Sequence, residues 1–305
     1  MTIKELRGGK METITLLTPT YNRGNMLPKL YDSIVKQTAG SFKWLIIDDG
    51  STDFTKEIVE SWIKESIVKI EYIYQENGGK HTALNRGVAQ IDTELTFIVD
   101  SDDYLPEKAI KTILEYHKKY KDKKGICGYS FLRFYPDGKV NEAYFPKDEL
   151  IDTYVNARIN AAIAGDKAEV FFTDILKQYP FPVFPGEKFV PEDIVWVQMS
   201  GPYKMVHINQ CVYISDYLEG GLTRSGRRMK LKSPKAMTKR AEIYLNDEAV
   251  NLKTKCKMIL LYIIYGHAAK FESCELIRRI NTKGLYVVAF VPGILLYVVW
   301  KIKFR

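Results

Sequence analysis

Asp100-Ser101-Asp102-Asp103 sets three carboxylates almost side by side, directly after the apolar run Leu95-Thr96-Phe97-Ile98-Val99. Unpaired, such carboxylates repel one another, and a divalent cation or a hydrogen-bonded sugar relieves the cost. Magnesium or manganese bound by one or two carboxylates, with diphosphate oxygens completing the shell, fits these ligands. A solvated acidic turn fits them too. Two further polar clusters end apolar runs in the same way. Thr18–Arg23 follows Ile14, Leu16 and Leu17, and Asp48–Asp53 follows Trp44–Ile47. Ligands of an open parallel sheet bind at the carboxyl ends of its strands, so three clusters at one edge argue for a site rather than for turn chemistry alone. No GxxxxGK[ST] and no GxGxxG lies at a strand–helix junction, so neither a P-loop nor a dinucleotide site is indicated. A nucleotide bound here has to be held by metal and side chains, which puts weight on Asp102.

The elements that must carry these clusters alternate. The apolar runs read as strands buried on both faces. Leu27, Leu30, Tyr31, Ile34 and Val35 recur at helical spacing, as do Ile58, Val59 and Trp62, with Ser51 or Asp53 as candidate caps for the second helix. Ile70 to Gln75 reads as a strand, Asn77-Gly78-Gly79 as a turn and Thr82 to Ala89 as a helix. Pro106 stands where the next helix would begin. Alternation of this kind predicts an α/β fold with a mostly parallel sheet covered by helices. Past Gly125, β-like runs are expected near Tyr129–Phe134 and Lys139–Phe145. Prolines at 180, 182, 185 and 191 predict a loop system over Phe181–Glu192, and helix resumes from about Ser233.

The net charge of +8 is uneven, with Arg227, Arg228, Lys230, Lys232, Lys235, Lys239 and Arg240 clustered after Arg224. Such a segment suits phosphates, nucleic acid or an anionic membrane, or simply a solvated helix face. With no aromatic stacking motif, no nucleic-acid partner is expected. Tyr286 to Trp300 is apolar, broken by Pro292-Gly293 and shorter than the ~20 residues of a spanning helix. In-plane or re-entrant docking is expected in preference to crossing, with a core helix as the alternative. The widely spaced Cys127, Cys211, Cys256 and Cys274 indicate neither a zinc site nor a disulfide framework, and MTIKELRGGKME lacks the apolar stretch of a signal peptide, so a reducing, cytoplasmic setting is expected.

The ordered series TPTYNR (18–23), DDGSTD (48–53), NGGKHTALNRG (77–87), DSDD (100–103) and PED (191–193) resembles the inverting family 2 glycosyltransferases over about residues 11–223. YLEGGLTR (217–224) further resembles bacterial members that build capsule, exopolysaccharide or wall polymers. The resemblance implies a GT-A fold: α/β, with a Rossmann-like, mostly parallel central sheet flanked by helices and a helical C-terminal extension. The expected organisation is an N-terminal extension (1–10), a glycosyltransferase domain (11–225) and a basic, helical, membrane-associating region (226–305). It also implies roles. Pro19 and Tyr21 would border the base and Asp49 would accept a hydrogen bond from it. Arg23 is their neighbour in the motif, its side chain free to point to the diphosphate. Lys80 and Asn85 would reach the base or diphosphate. Asp100, with Ser101 beside it, would bind ribose or sugar. Asp102 would be the main metal ligand, Asp100 the second, for Mn2+ or Mg2+. Asp193 would be the catalytic base, with Glu192 positioning the acceptor. Lys80-His81 departs from the arginine-containing pattern of many relatives.

The implied partners are a nucleoside-diphosphate sugar, UDP by family habit, a glycan or lipid-linked acceptor, and the cytoplasmic face of a membrane on which the chain sits peripherally. Thr223, Arg224 and the basic residues after Gly220-Gly221 would close over the donor or pair with acceptor phosphates. A nucleotidyltransferase would need a glycine-rich basic loop that TPTYNRGNM does not supply. A membrane-docked, non-catalytic binding protein that kept the fold would have no use for Asp102 and Asp193.

Overall fold

Seven buried residues, Ile14–Thr20, form β1, and seven more, Phe42–Asp48, form β2 beside it in parallel. Their register pairs Ile14 with Phe42 and Thr20 with Asp48, so the loops after the two strands leave the sheet at one level. Between them α1 (Leu27–Val35) has Pro28 in its first turn and buries Leu27, Leu30, Tyr31 and Ile34. α2 (Thr55–Glu65) follows β2 and leads to β3 (Ile70–Tyr74), parallel to β2. α3 (Lys80–Gln90) leads to β4 (Leu95–Ile98), which pairs in parallel with the other side of β1. The structure, a computed structural model, describes residues 13–215 and 222–304. The expected extension, 1–10, and most of YLEGGLTR lie outside the described residues, as do the side chains of Thr223 and Arg224.

α4 (Ala109–Tyr120) then leads to β5 (Ile126–Phe134) and, through a turn, to β6 (Leu150–Asp152). β7 (Lys167–Phe172) runs antiparallel between β4 and β5 and passes into the short α5 (Thr173–Leu176). β8 (Lys204–Ile214) closes an eight-stranded sheet in the order β3-β2-β1-β4-β7-β5-β8-β6. The order reverses direction at β1, whose neighbours are β2 and β4, and this is where an α/β sheet opens a crevice. Pro19 is tolerated inside β1 because the ladder to β4 ends at Leu17 opposite Ile98. By strand alternation its missing N–H would have pointed past that end.

Apolar side chains bind the helices to the sheet. Tyr31 of α1 stacks on Trp62 of α2 with centroids 4.3 Å apart, and Trp44 of β2 lies 6.0 Å from Trp62. Trp44 Nε1 donates to Thr18 Oγ1 at 2.9 Å, so the ring is buried without an unpaired polar atom. Burying each such ring or a core Leu or Ile contributes about 1.5–3 kcal/mol.

The strands and α1–α5 make up one compact unit, residues 13–152, 163–180 and 203–215 of those described. A second unit takes in 153–162, 181–202 and 222–304. It contains a π-helical turn at Val155–Asn160, then α6 (Asp193–Met199), α7 (Leu222–Lys232), α8 (Pro234–Asn246), α9 (Leu252–Ala268), α10 (Ser273–Arg278) and α11 (Lys283–Lys303). α7 is kinked at Gly226, where φ is +25°.

Two expectations are corrected. Lys139–Phe145 forms no strand but a turn with one bridge, Phe134 to Val140. The Asp137-Gly138 turn and a positive φ at Glu142 deny it a run of extended backbone. The last helix is not broken at Pro292-Gly293: α11 continues for 21 residues, long enough to span a bilayer. Mid-sheet, a Cβ on Gly128 would lie 2.1 Å from the backbone oxygen of Val170 on β7. Gly128→Ala is therefore expected to cost about 1–3 kcal/mol. In urea denaturation this reads as a lowered midpoint at unchanged slope, and an unchanged midpoint would refute it.

Candidate functional site

The clusters after β1, β2 and β3 are bound to one another by three carboxylates, buried at Asp48 and Asp49 and half-buried at Asp53. Asp48 accepts from the Ser51 N–H at 2.7 Å and from the Tyr72 hydroxyl at 2.6 Å. Asp49, buried, accepts from the Gln75 amide and the Gly78 N–H through Oδ1, and from the Gly79 N–H through Oδ2. Asp53 accepts from the Gly24 N–H and from both donors of Thr55. Its oxygens thus tie the Thr18–Arg23 loop to the start of α2, while burial alone would raise its pKa. The bonds from Thr55 and Gly24 outweigh that and lower it. Asn22, at φ +51°, completes the tie: its N–H donates to Ser51 Oγ and its side-chain oxygen accepts from the Thr52 N–H. Of the two candidate caps, Asp53 holds the first turn of α2 and Ser51 serves Asn22 instead.

The consequence is a fixed position for the start of α3. Lys80, its first residue, reaches Asp100 after β4 at 2.5 Å. Asp100 also faces Arg133 at 3.6 Å, and its N–H donates to the Tyr213 hydroxyl at 2.8 Å. Arg133 lies over the Tyr213 ring, 3.9 Å from its centroid, and its Nη1 faces Asp103 as well, at 3.6 Å. Burial alone would raise the Asp100 pKa, but the charges of Lys80 and Arg133 hold it at about 2. Burial, and then the Asp100 charge, raises Asp103 to about 7. Asp102 differs from both in its partner: it lies away from Arg133 and faces Arg23, at 3.6 Å.

Pro19, Tyr21, Arg23, Asp49, Lys80, Asp100, Ser101 and Asp102 are thus gathered at the carboxyl ends of β1, β2 and β4. Tyr21 is about half exposed, Pro19 and Ser101 are buried, and Asn85 is half-buried in the second turn of α3. Among the described residues, no three His, Cys, Asp or Glu side chains are grouped to hold a metal alone. The donor set fits a cation of the other kind, held by one or two carboxylates and completed by phosphate oxygens. His81, beside Lys80, is buried with no hydrogen-bond partner among the described residues on either ring nitrogen, and burial lowers its pKa.

Asp193 belongs to the second unit, at the start of α6, with Glu192 immediately before it. Arg240 of α8 donates from Nε to both Asp193 oxygens at 2.8 Å and from a terminal nitrogen to Oδ2 at 2.5 Å. Tyr244, one turn later, donates to Oδ2 at 2.7 Å. Burial would raise the Asp193 pKa, but Arg240 and Tyr244 outweigh it and hold the carboxylate below its ordinary range. Oδ1, with one donor, keeps a free lone pair.

As site residues, Arg133, Tyr213, Gln75, Arg240 and Tyr244 escaped the sequence reading, which has Gln75 only as a strand end and Arg240 only as one of the clustered cations. Arg133 carries a usable signal, as the one charge in Ile-Cys-Gly-Tyr-Ser-Phe-Leu-Arg-Phe, an otherwise uncharged buried strand. Arg240 and Tyr244 are spaced i, i+4 on α8, a pattern common on any helix.

The model of the family Glycosyl transferase family 2 matches residues 15–179. "Glycosyltransferase GlyG" of Streptococcus pneumoniae is 27% identical over 224 residues, 70% of this chain and 74% of that one. Other relatives are matched over 14–41% of their own length. Staphylococcus aureus TarS 1–349, solved in complex with UDP-GlcNAc, superposes with a TM-score of 0.63 at 19% identity, over 93% of this chain and 81% of that one. The mannosyltransferase PcManGT of Pyrobaculum calidifontis, solved with GDP-Man and Mn2+, gives 0.57 at 14% identity, over 97% and 84%. These likenesses show the fold, which is the GT-A arrangement expected from the sequence.

Removing Arg240 would leave the half-buried Asp193 carboxylate with no cation beside it and Tyr244 as its remaining donor. Because about a fifth of that side chain is exposed, Arg240→Leu is expected to cost at most about 3 kcal/mol at pH 7, the low end for a buried pair. In the native chain the depressed pKa stabilises the fold above the ordinary carboxylate range, and that stabilisation is lost as pH falls through the folded value. In the variant the carboxyl is relieved by protonation, so the stability gap should narrow from pH 7 toward pH 4. Urea titrations across that range check it, and a constant gap would show that Asp193 does not carry the effect.

Proposed function

We propose, for a chain that belongs to glycosyl transferase family 2 and is a glycosyltransferase, that it moves a sugar from UDP to a glycan or lipid-linked acceptor with inversion at the anomeric carbon. The observation that carries this reading is the edge of carboxylates and cations at the switch point, with Asp102 the least engaged carboxylate in it. One relative points the same way. TarS is a poly(ribitol-phosphate) beta-N-acetylglucosaminyltransferase, and a structure of it holds UDP-GlcNAc. A wall or surface polymer is accordingly the proposed acceptor class, with the C-terminal region, residues 226–305, associating peripherally with the cytoplasmic face of a membrane.

On this reading Tyr21 and Pro19 border the base, and Asp49 contributes to the base site chiefly by shaping the Asn77–Gly79 loop, since three donors already engage its carboxylate. Asn85 sits behind Lys80 on the base or diphosphate side. Asp100, ionised by its two cations, and Ser101 accept and orient ribose or sugar hydroxyls. Arg23 and Lys80 turn to the diphosphate when it arrives. A divalent cation held by Asp102, with Asp100 as second ligand, would offset the charge that builds on the leaving diphosphate. Asp193 takes the proton of the attacking hydroxyl at Oδ1, and Glu192 positions the acceptor. The Arg240 clamp weakens Asp193 as a base but keeps it ionised at neutral pH and fixes the direction of its free lone pair.

Calorimetric titration of UDP, GDP and dTDP, with and without manganese, tests the donor half. Manganese-dependent binding of UDP, weakened at least tenfold in Asp102→Ala, is the expected result. No binding of any of the three by the folded chain would sink the reading, leaving a non-catalytic, membrane-docked protein as the better account. For the acceptor half, Asp193→Asn should keep UDP binding and lower turnover about 10²–10⁴-fold.

A further inference from the structure

α11 runs 21 residues from Lys283 to Lys303 with mean hydropathy 2.0, yet little of it is buried. At 1.5 Å per residue it is about 31 Å long, the thickness of a bilayer's hydrocarbon core. Its two faces differ. Tyr286, Ala289 and Gly293 are buried and face the rest of the second unit. A Cβ on Gly293 would meet the Ile263 side chain of α9 at 2.8 Å, so the two helices cross in close contact there. Tyr286 packs on Tyr262, and Trp300 on Tyr265. On the other face Val287, Val288, Val291, Leu295, Val299 and Ile302 are exposed, at 54% or more each. At 3.6 residues per turn these positions form one stripe along the whole helix. Lys283 and Lys301 fall on one flank of the stripe and Lys303 on the other.

Charge at the ends distinguishes between occupants. Residues 276–304 contain no Asp or Glu but five cations, Arg278, Arg279, Lys283, Lys301 and Lys303. Arg227 of α7 adds its guanidinium over the Trp300 ring, 5.1 Å from the centroid. A second copy of this face would bring cation against cation, whereas an anionic phospholipid surface supplies the opposite charge together with an apolar layer. Aromatic rings with one polar end, Tyr297 and Trp300, stand among these cations, as they do at headgroup level in interfacial helices.

The crossing on α9 decides between spanning and lying flat. Gly293 is the eleventh of the 21 residues, so a spanning α11 would carry its contact with Ile263 to the bilayer midplane. Lys257, six residues before Ile263 on α9, would then lie about 9 Å from the midplane at most, inside a core whose half-thickness is about 15 Å, whatever the crossing angle. A charged side chain at that depth is costly. In the membrane plane, the stripe alone enters the acyl boundary and α9 stays on the water side.

We propose that α11 docks in the plane of an anionic bilayer, with the Val288–Val291–Leu295–Ile302 stripe inserted and the cations of Lys283, Arg227, Lys301 and Lys303 on lipid phosphates. The proposal deepens the membrane placement in the proposed function and rests on that part of it. The full chain is floated with vesicles of phosphatidylglycerol and phosphatidylcholine in 3:7 ratio, and with pure phosphatidylcholine. A double variant, Val288→Asp with Leu295→Asp, changes only exposed positions, and UDP titration of it reports separately on the donor site. Binding to the anionic vesicles that is salt-sensitive, weak on pure phosphatidylcholine and reduced at least tenfold in the double variant is expected, with UDP binding unchanged. Equal flotation of the variant and the native chain, or none by either, overturns the proposal. So does a concentration-dependent dimer that the variant abolishes without any vesicle binding, since the occupant is then a second copy. A tag after α11 distinguishes the orientations in sealed vesicles. Cleavage by protease on the side to which the protein was added fits the in-plane helix, and protection of the tag means a spanning one.

Discussion

Asp49 is buried at the carboxyl end of β2, and its carboxylate accepts from Gln75 and from the N–H groups of Gly78 and Gly79. A buried charge with that many donors is a constraint as well as a stabiliser, because any displacement of the loop leaves it unsatisfied. The loop it holds ends in Lys80, and α3 begins there. Lys80 meets Asp100 only because that start is fixed. The Asn77 side chain donates back to the Asp49 backbone oxygen, so the restraint works in both directions. From one carboxylate, therefore, follow the level of three loops and the placement of the first cation of the site.

The charges beyond it form a chain in which almost every carboxylate already has a partner. Asp100 has Lys80 and Arg133, Asp103 shares Arg133, and Asp102 has Arg23. On the proposed reading an anionic ligand would compete with Asp100 for Lys80 and with Asp102 for Arg23, and a cation would find Asp102 with that one ion pair. Arg133 is the exception. Buried on Tyr213 and donating from Nε to the Lys167 carbonyl, it is not free to turn to a ligand. Its contribution is a fixed positive potential beneath Asp100 and Asp103.

Residues and their spacing revealed the alternating half of the fold because each strand there is a continuous buried run and each helix has one apolar face. The apolar stops before Thr18, Asp48 and Asp100 placed the clusters at one edge, and parallel pairing of β1 with β2 and β4 put them there. Past Gly125 the signal thins for physical reasons. β7 enters the sheet antiparallel between β4 and β5, a long-range pairing with no local pattern. Lys139–Phe145 has strand-like composition but turn backbone. The supports of the site were hardest to see: Tyr213 reads as an ordinary strand aromatic, and Arg240 as one cation among many in a basic segment. Only contact with Asp100 or Asp193 gives either a role.

Asp193 shows how a basic segment can be misread as uniformly solvated. Of the cations clustered after Arg224, Arg240 is turned inward, with both Asp193 oxygens on its Nε and Tyr244 beside it. Lys230 is half-buried nearby, its pKa lowered by burial and by the Arg240 charge. The segment thus divides into cations that face an internal carboxylate and cations, such as Arg227 on Trp300, that stand with α11. Bulk charge counts treat them alike, but their energetics differ. The first kind is short-ranged, partly shielded from solvent and less sensitive to salt, while the second is exposed and screened beyond about 10 Å at ordinary ionic strength. Raising salt should therefore loosen the contacts made by the outer set long before it touches the Asp193 clamp, because one basic run serves two different physical tasks.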